Sequence, residues 1–185
     1  MRPFILAIIS VLTIAYPALV YYGINTFKPA FFGVLFLLAA IAKFFYSKNK
    51  SDPLSVIALV GVAAYSLILA VFNTEWLLRL YPVVVSWGVA TVFALSLRKE
   101  VTLIESFAIA AGKTITDNAK RYTRKLTLLW ALLLLVNGLI SLYLAALGTL
   151  QAWALYCGLL SYLLIGSFFL GEYQYRRYYI KKMGE

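Results

Sequence analysis

The chain has 185 residues, of which 63% are hydrophobic and 13% charged, with a mean hydropathy of +0.87. Soluble domains carry about 45–50% apolar and about 25% charged residues, so this composition is that of a membrane protein. The excess of 17 Lys+Arg over 7 Asp+Glu sits in short gaps between apolar runs, which argues against a nucleic-acid partner. Histidine is absent, which excludes His-based proton transfer and imidazole metal or haem ligation. One cysteine, Cys157, excludes an intrachain disulfide, a CxxC motif and a cysteine zinc site. No metal or cofactor is expected.

A membrane helix needs about 20 mostly apolar residues to cross a hydrocarbon core of about 30 Å. Residues 4–22 form the first such run and are read as a retained span. Ala15-Tyr16-Pro17-Ala18 is not a small-x-small cleavage site. Gly23-Ile24-Asn25 and Pro29 mark a turn into a second run, 29–46. A polar loop from Ser47 to Asp52 ends at Pro53, which suits the first turn of a third run, 54–72. Asn73-Thr74-Glu75 is a tight turn in which Asn73 or Thr74 can cap the next helix. The fourth run begins at Trp76 or Leu80 and ends near 97, with Pro82 near its start. The fifth covers 126–147, and Gly148-Thr149 turns the chain into the sixth, 150–173. Continuous apolar runs with no period-two alternation predict helices, since a spanning backbone must satisfy its own hydrogen bonds. The expected fold is all-α, a single membrane domain of six transmembrane helices spanning residues 1–185.

The loop 98–125 is the longest. Thr102-Leu103-Ile104-Glu105 fits a capping box. Ile104, Phe107, Ala108, Ala111 and Ile115 follow one helical face, and Gly112 is a stop. This predicts an amphipathic interfacial helix between spans four and five. Residues 118–125 are expected to run straight into the fifth span.

Counting Lys and Arg on alternate sides sets the orientation. One side holds Arg2, Lys43, Lys48, Lys50, the seven basic residues of the 98–125 loop, and Arg176, Arg177, Lys181 and Lys182. The other holds Lys28 and Arg79 alone. The split places both termini in the cytosol.

Ionisable and polar residues near or inside spans are the functional candidates. Glu75 and Arg79 are four apart, in the favourable order for an ion pair. They are either an interfacial pair beside a proline kink or an outward site for a headgroup or phosphate. Asn137, Ser141 and Ala145 make a small or polar stripe along the fifth span. It is either helix-packing glue or a polar point on a substrate path. Ser86, Ala90 and Ala94, and Ser167 with Gly171, read as further packing stripes. Lys120, Arg121, Arg124 and Lys125 either fix orientation or dock anionic lipid headgroups or an acyl carrier protein. Glu172 precedes Arg176 by four and reads as a snorkelling pair. A cytosolic pocket gathering Arg121, Arg124 and Glu172 would instead suit a transferase. The tyrosines at span ends form an aromatic belt.

Three stretches carry a family resemblance. They are Leu78-Arg79-Leu80-Tyr81-Pro82-Val83-Val84-Val85; Arg121-Tyr122-Thr123-Arg124-Lys125-Leu126-Thr127 running to Trp130 and Asn137-Gly138; and Trp153-Ala154-Leu155-Tyr156-Cys157-Gly158-Leu159 through Gly171-Glu172-Tyr173. Together they resemble a family of uncharacterised bacterial inner-membrane proteins encoded beside aryl polyene biosynthesis enzymes. More distantly, the span order and the Lys-Leu…Trp-Ala segment at 125–131 are similar to the intracellular septation protein A family. The resemblance implies an inner-membrane setting near envelope-lipid or aryl-polyene-type lipid assembly. It brings no catalytic residue. The name ketosynthase, used for some members, does not fit a chain with one cysteine inside a span and no histidine. The expected role is a non-catalytic accessory or scaffold in lipid assembly. A lipid transporter or flippase component and a membrane transferase are the alternatives. Partners in this setting are anionic lipids, lipid-synthesis enzymes or carrier proteins, and homo-oligomers are compatible with it.

Overall fold

The computed structural model describes residues 53–112 and 115–183 continuously, and positions 21, 22, 28, 31, 33–35, 37, 38, 41 and 45. The first predicted span apart from Tyr21 and Tyr22, much of the second, and the loop carrying Lys48 and Lys50 lie outside the described residues. Among those described, the regular structure is helix and no strand occurs.

The helices are α1 (Pro53–Phe72), α2 (Glu75–Arg79), α3 (Tyr81–Ser96), α4 (Leu103–Ala110), α5 (Asp117–Leu147), α6 (Leu150–Leu155) and α7 (Ser161–Met183), with a π-helical turn (Tyr156–Leu160) between the last two. They belong to two compact units. The first comprises residues 1–79 and 148–160, and so holds α1, α2, α6 and the π-turn. The second comprises 80–147 and 161–185, and so holds α3, α4, α5 and α7.

The helix ends follow local chemistry. Asn73 stops α1 by adopting a left-handed conformation at φ 46°, which asparagine tolerates. Its N–H returns to the Leu69 carbonyl at 2.9 Å, and the Leu78 N–H bonds the Thr74 carbonyl to open α2. The predicted fourth span is not continuous from Trp76. The helix breaks at Leu80 and resumes at Tyr81, with Pro82 in the first turn of α3. Proline lacks the N–H that would bond Leu78, and its ring crowds that carbonyl. Gly112 takes φ +74° just beyond α4, and the Thr149 hydroxyl caps α6 by accepting the Ala152 N–H at 3.2 Å. As expected, 118–125 runs unbroken into the fifth apolar stretch. The resulting 31-residue α5 is about 46 Å long.

Asp117–Leu147 and Leu150–Tyr178 are long and apolar enough to cross a membrane. Val60–Phe72 and Tyr81–Ser96 are shorter apolar helices. The sorting of side chains on α5 is the reverse of that on a water-facing helix. Its inward positions are Thr123, Leu126, Thr127, Ala131, Leu134, Asn137, Gly138, Ser141 and Ala145. Its outward positions include Leu128, Leu129, Leu132, Leu135, Val136 and Leu139. Apart from Leu126 and Leu134, the inward positions are small or polar, while large apolar residues dominate the outward ones.

Candidate functional site

The sequence candidates fall into three clusters. The first lies in the unit that contains α2 and α6. Glu75 and Arg79 form the expected ion pair through the guanidinium Nη2. Arg79 does more than the spacing implied. Its Nη1 donates to the Gly148 carbonyl at 3.2 Å, across 69 residues of sequence. Its own carbonyl accepts the Trp153 indole N–H at 3.1 Å. Trp153 and Leu78 are completely buried, and the Tyr65 hydroxyl donates to the Leu77 carbonyl. Arg79 is mostly buried, whereas Glu75 is exposed. The guanidinium therefore joins α2 to the turn before α6, with two of its nitrogens committed to protein oxygens.

The second cluster is the α3–α5 crossing in the other unit. Ser86 Oγ donates to the Leu134 carbonyl at 2.8 Å and accepts the Asn137 Nδ2–H at 3.2 Å. Ser141 Oγ donates to the Asn137 carbonyl at 2.9 Å. Ser86, Asn137 and Ser141 are all buried. Alongside them the Trp87 indole donates to the Leu135 carbonyl at 3.2 Å. The Trp87 ring lies so close over Gly138 that a Cβ there would overlap it. The predicted stripe Asn137, Ser141, Ala145 faces inward along its whole length. The Ser86–Ala90 stripe does so too, but Ala94 is exposed and Ser96 takes the inward position. Ser167 and Gly171 are exposed on α7, and a Cβ at Gly171 would meet open space.

The third cluster is polar and basic and surrounds the start of α5. Glu172 makes the expected pair with Arg176, at 3.5 Å. It also accepts the Tyr122 hydroxyl at 3.0 Å, which ties α7 to α5. Tyr122 stacks on Tyr175 with centroids 6.2 Å apart. Arg176 and Arg177 lie over the Tyr173 ring. Arg124 points elsewhere: its Nη2 donates to the Leu97 carbonyl and its Nη1 to the Lys99 carbonyl, capping the end of α3. Arg124 therefore bonds the end of α3, whereas Glu172 bonds Tyr122 and Arg176. Lys120, Arg121 and Lys125 are exposed.

The α4 segment beside this cluster forms where the capping box predicts. Thr102 N–H bonds the Glu105 carboxylate at a long 3.4 Å, and the buried Thr102 hydroxyl finds no partner within bonding distance. The box geometry is present, but its hydroxyl half is too slack to count as a bond. The faces differ from expectation. Ile104 and Ala108 are half-buried, whereas Phe107 and Ala111 are exposed.

Sequence reasoning missed Trp87, Trp153, Tyr122 and the burial of Glu105. Trp87 carried a usable signal, since it lies in mid-run, away from the run ends where a belt tryptophan belongs, whereas Trp153 stands near the start of its run and reads as belt. No group of three or more His, Cys, Asp or Glu residues able to hold a metal occurs among the described residues. No protein family, curated protein or solved structure matches the chain.

Proposed function

We propose that the chain is a six-span protein of the bacterial inner membrane, with cytosolic termini, and a non-catalytic accessory or scaffold in envelope-lipid or aryl-polyene-type lipid assembly. The observation that carries the reading is the inverted sorting on α5, with leucines outward and Asn137, Gly138 and Ser141 inward. Lipid imposes that arrangement. Apolar tails make no hydrophobic distinction among leucines, so close backbone approach and hydrogen bonding drive helix association. The same geometry favours a scaffold over a conduit. The polar groups at Ser86 and Asn137 bond to each other and to backbone, rather than to an open path. The lipid-assembly setting rests on the family resemblance alone. Anionic headgroups or an acidic carrier protein suit the exposed Lys120, Arg121 and Lys125.

Reporter fusions test the topology. Fusions after Lys50, Gly112 and Lys182 should read cytosolic, and fusions at Lys28, Thr74 and Thr149 periplasmic. A periplasmic signal after Gly112 would overturn the orientation. For the role, Asn137→Leu should preserve the cell's lipid or pigment output. Loss of that output at normal protein abundance would mean that Asn137 meets a substrate and that the scaffold reading is wrong.

A further inference from the structure

Helix α4 is inside out. Its carboxylate, Glu105, is only 4% exposed and Thr102 is fully buried, while Phe107 is 61% and Ile109 49% exposed. Val101, just before the helix, is exposed as well. In water a short surface helix would show its acid and hide its phenyl ring. Burying a carboxylate without a cation is costly, and no ion pair forms to Glu105 among the described residues. The arrangement is reasonable where the outer face meets hydrocarbon and an exposed acid would meet negative charge.

The basic residues nearby supply the other half. Arg124 clamps the carbonyls of Leu97 and Lys99, so the basic first turns of α5 are held against the α3–α4 junction. That clamp occupies Arg124 and leaves Lys120, Arg121 and Lys125 exposed on the same stretch, with Arg98 and Lys99 exposed at the end of α3.

We infer that the face of α4 that carries Phe107, together with Lys120, Arg121 and Lys125, binds the anionic phospholipid of one leaflet. The Phe107 ring enters the acyl boundary, and the ammonium and guanidinium groups sit at phosphate level. This rests on the membrane reading proposed above and commits its basic surface to one occupant, a lipid and not a carrier protein. Arg124 serves this surface by holding α5 to the α3–α4 junction.

The test uses the full chain in a Cys157→Ala background, reconstituted in vesicles of phosphatidylcholine alone or with phosphatidylglycerol. A fluorophore is attached to Phe107→Cys or, separately, to Leu132→Cys on the outward face of α5. Quenchers are placed on the lipid acyl chains. The Leu132 probe should be quenched in both vesicles, and the Phe107 probe more strongly in the anionic ones. In the Lys120→Gln/Arg121→Gln/Lys125→Gln variant, anionic enrichment at Phe107 should fall by up to about fivefold per charge removed, the factor equivalent to about 1 kcal/mol per basic residue at the surface. If Leu132 is quenched and Phe107 is not, α4 does not meet lipid, and the inference fails while the membrane reading stands. If neither is quenched, the membrane reading itself fails. Equal quenching of Phe107 in both vesicles overturns the charge selectivity. A Phe107 probe shielded from aqueous iodide but dark to lipid quenchers means a protein partner or a second copy covers this face instead.

Discussion

Arg79 and Asn137 are both polar residues in an apolar chain, and both are absorbed by packing, but in different ways. Arg79 acts where helices end. Its charge satisfies the free Gly148 carbonyl, and its backbone holds the Trp153 indole. Asn137 acts where two helices cross in mid-course, through a neutral bond to Ser86 beside a glycine that admits the Trp87 ring. At a broken helix end the backbone lacks partners, so a long charged fork contributes most. At a crossing the backbone is already satisfied, so shape contributes most and the amide only trims the fit.

The largest effect should therefore come from shape. Gly138→Val drives its side chain into Trp87 and displaces the indole from the Leu135 carbonyl. Overpacking of this kind destabilises by about 3 kcal/mol, measured as a lower SDS midpoint for unfolding in mixed micelles. Unchanged stability would break the comparison at its root. Next comes Arg79→Ala, which strips the donor from the Gly148 carbonyl and should lose about 2 kcal/mol. Arg79→Lys should recover only part, because an ammonium cannot serve Glu75 and Gly148 with a planar fork. Full recovery would mean that charge alone, not the fork, matters there. Asn137→Leu should lose about 0.6 kcal/mol, the average for intramembrane hydrogen bonds. A loss as large as that of Arg79→Ala would erase the distinction between the two regions. The smallest change is Glu75→Gln. An exposed i,i+4 pair contributes about 0.3–0.5 kcal/mol, and adding salt to the wild type should mimic the substitution.

Much of this was legible in the residues. Asn73, Pro82 and Gly112 break helices through their own backbone preferences, and Thr149 caps one, so each acts locally. The inward stripe Asn137, Ser141, Ala145 follows from helical periodicity. What periodicity does not carry is the partner. Nothing in the spacing of α5 says that Asn137 meets Ser86 rather than another hydroxyl, because the register between two helices depends on how both surfaces interlock. The same holds for Arg124, whose partners are carbonyls, and every residue has one. Helix α4 illustrates a subtler limit. Its apolar residues nearly encircle it, so spacing picked the face Ile104, Phe107, Ala108, Ala111 and Ile115, and the structure splits that face between half-buried and exposed positions. The π-turn at Tyr156–Leu160 carried no recognised local signal.

The seating of the Trp87 indole over Gly138 has a consequence for descent. Two positions separated by half a hundred residues share one volume, so neither is free to drift alone. In any lineage that retains this crossing, a side chain arising at the position of Gly138 should be accompanied by loss of the indole at the position of Trp87. The order of events is constrained as well: shrinking the ring first leaves a gap that a chain can survive, whereas filling the glycine first produces a collision.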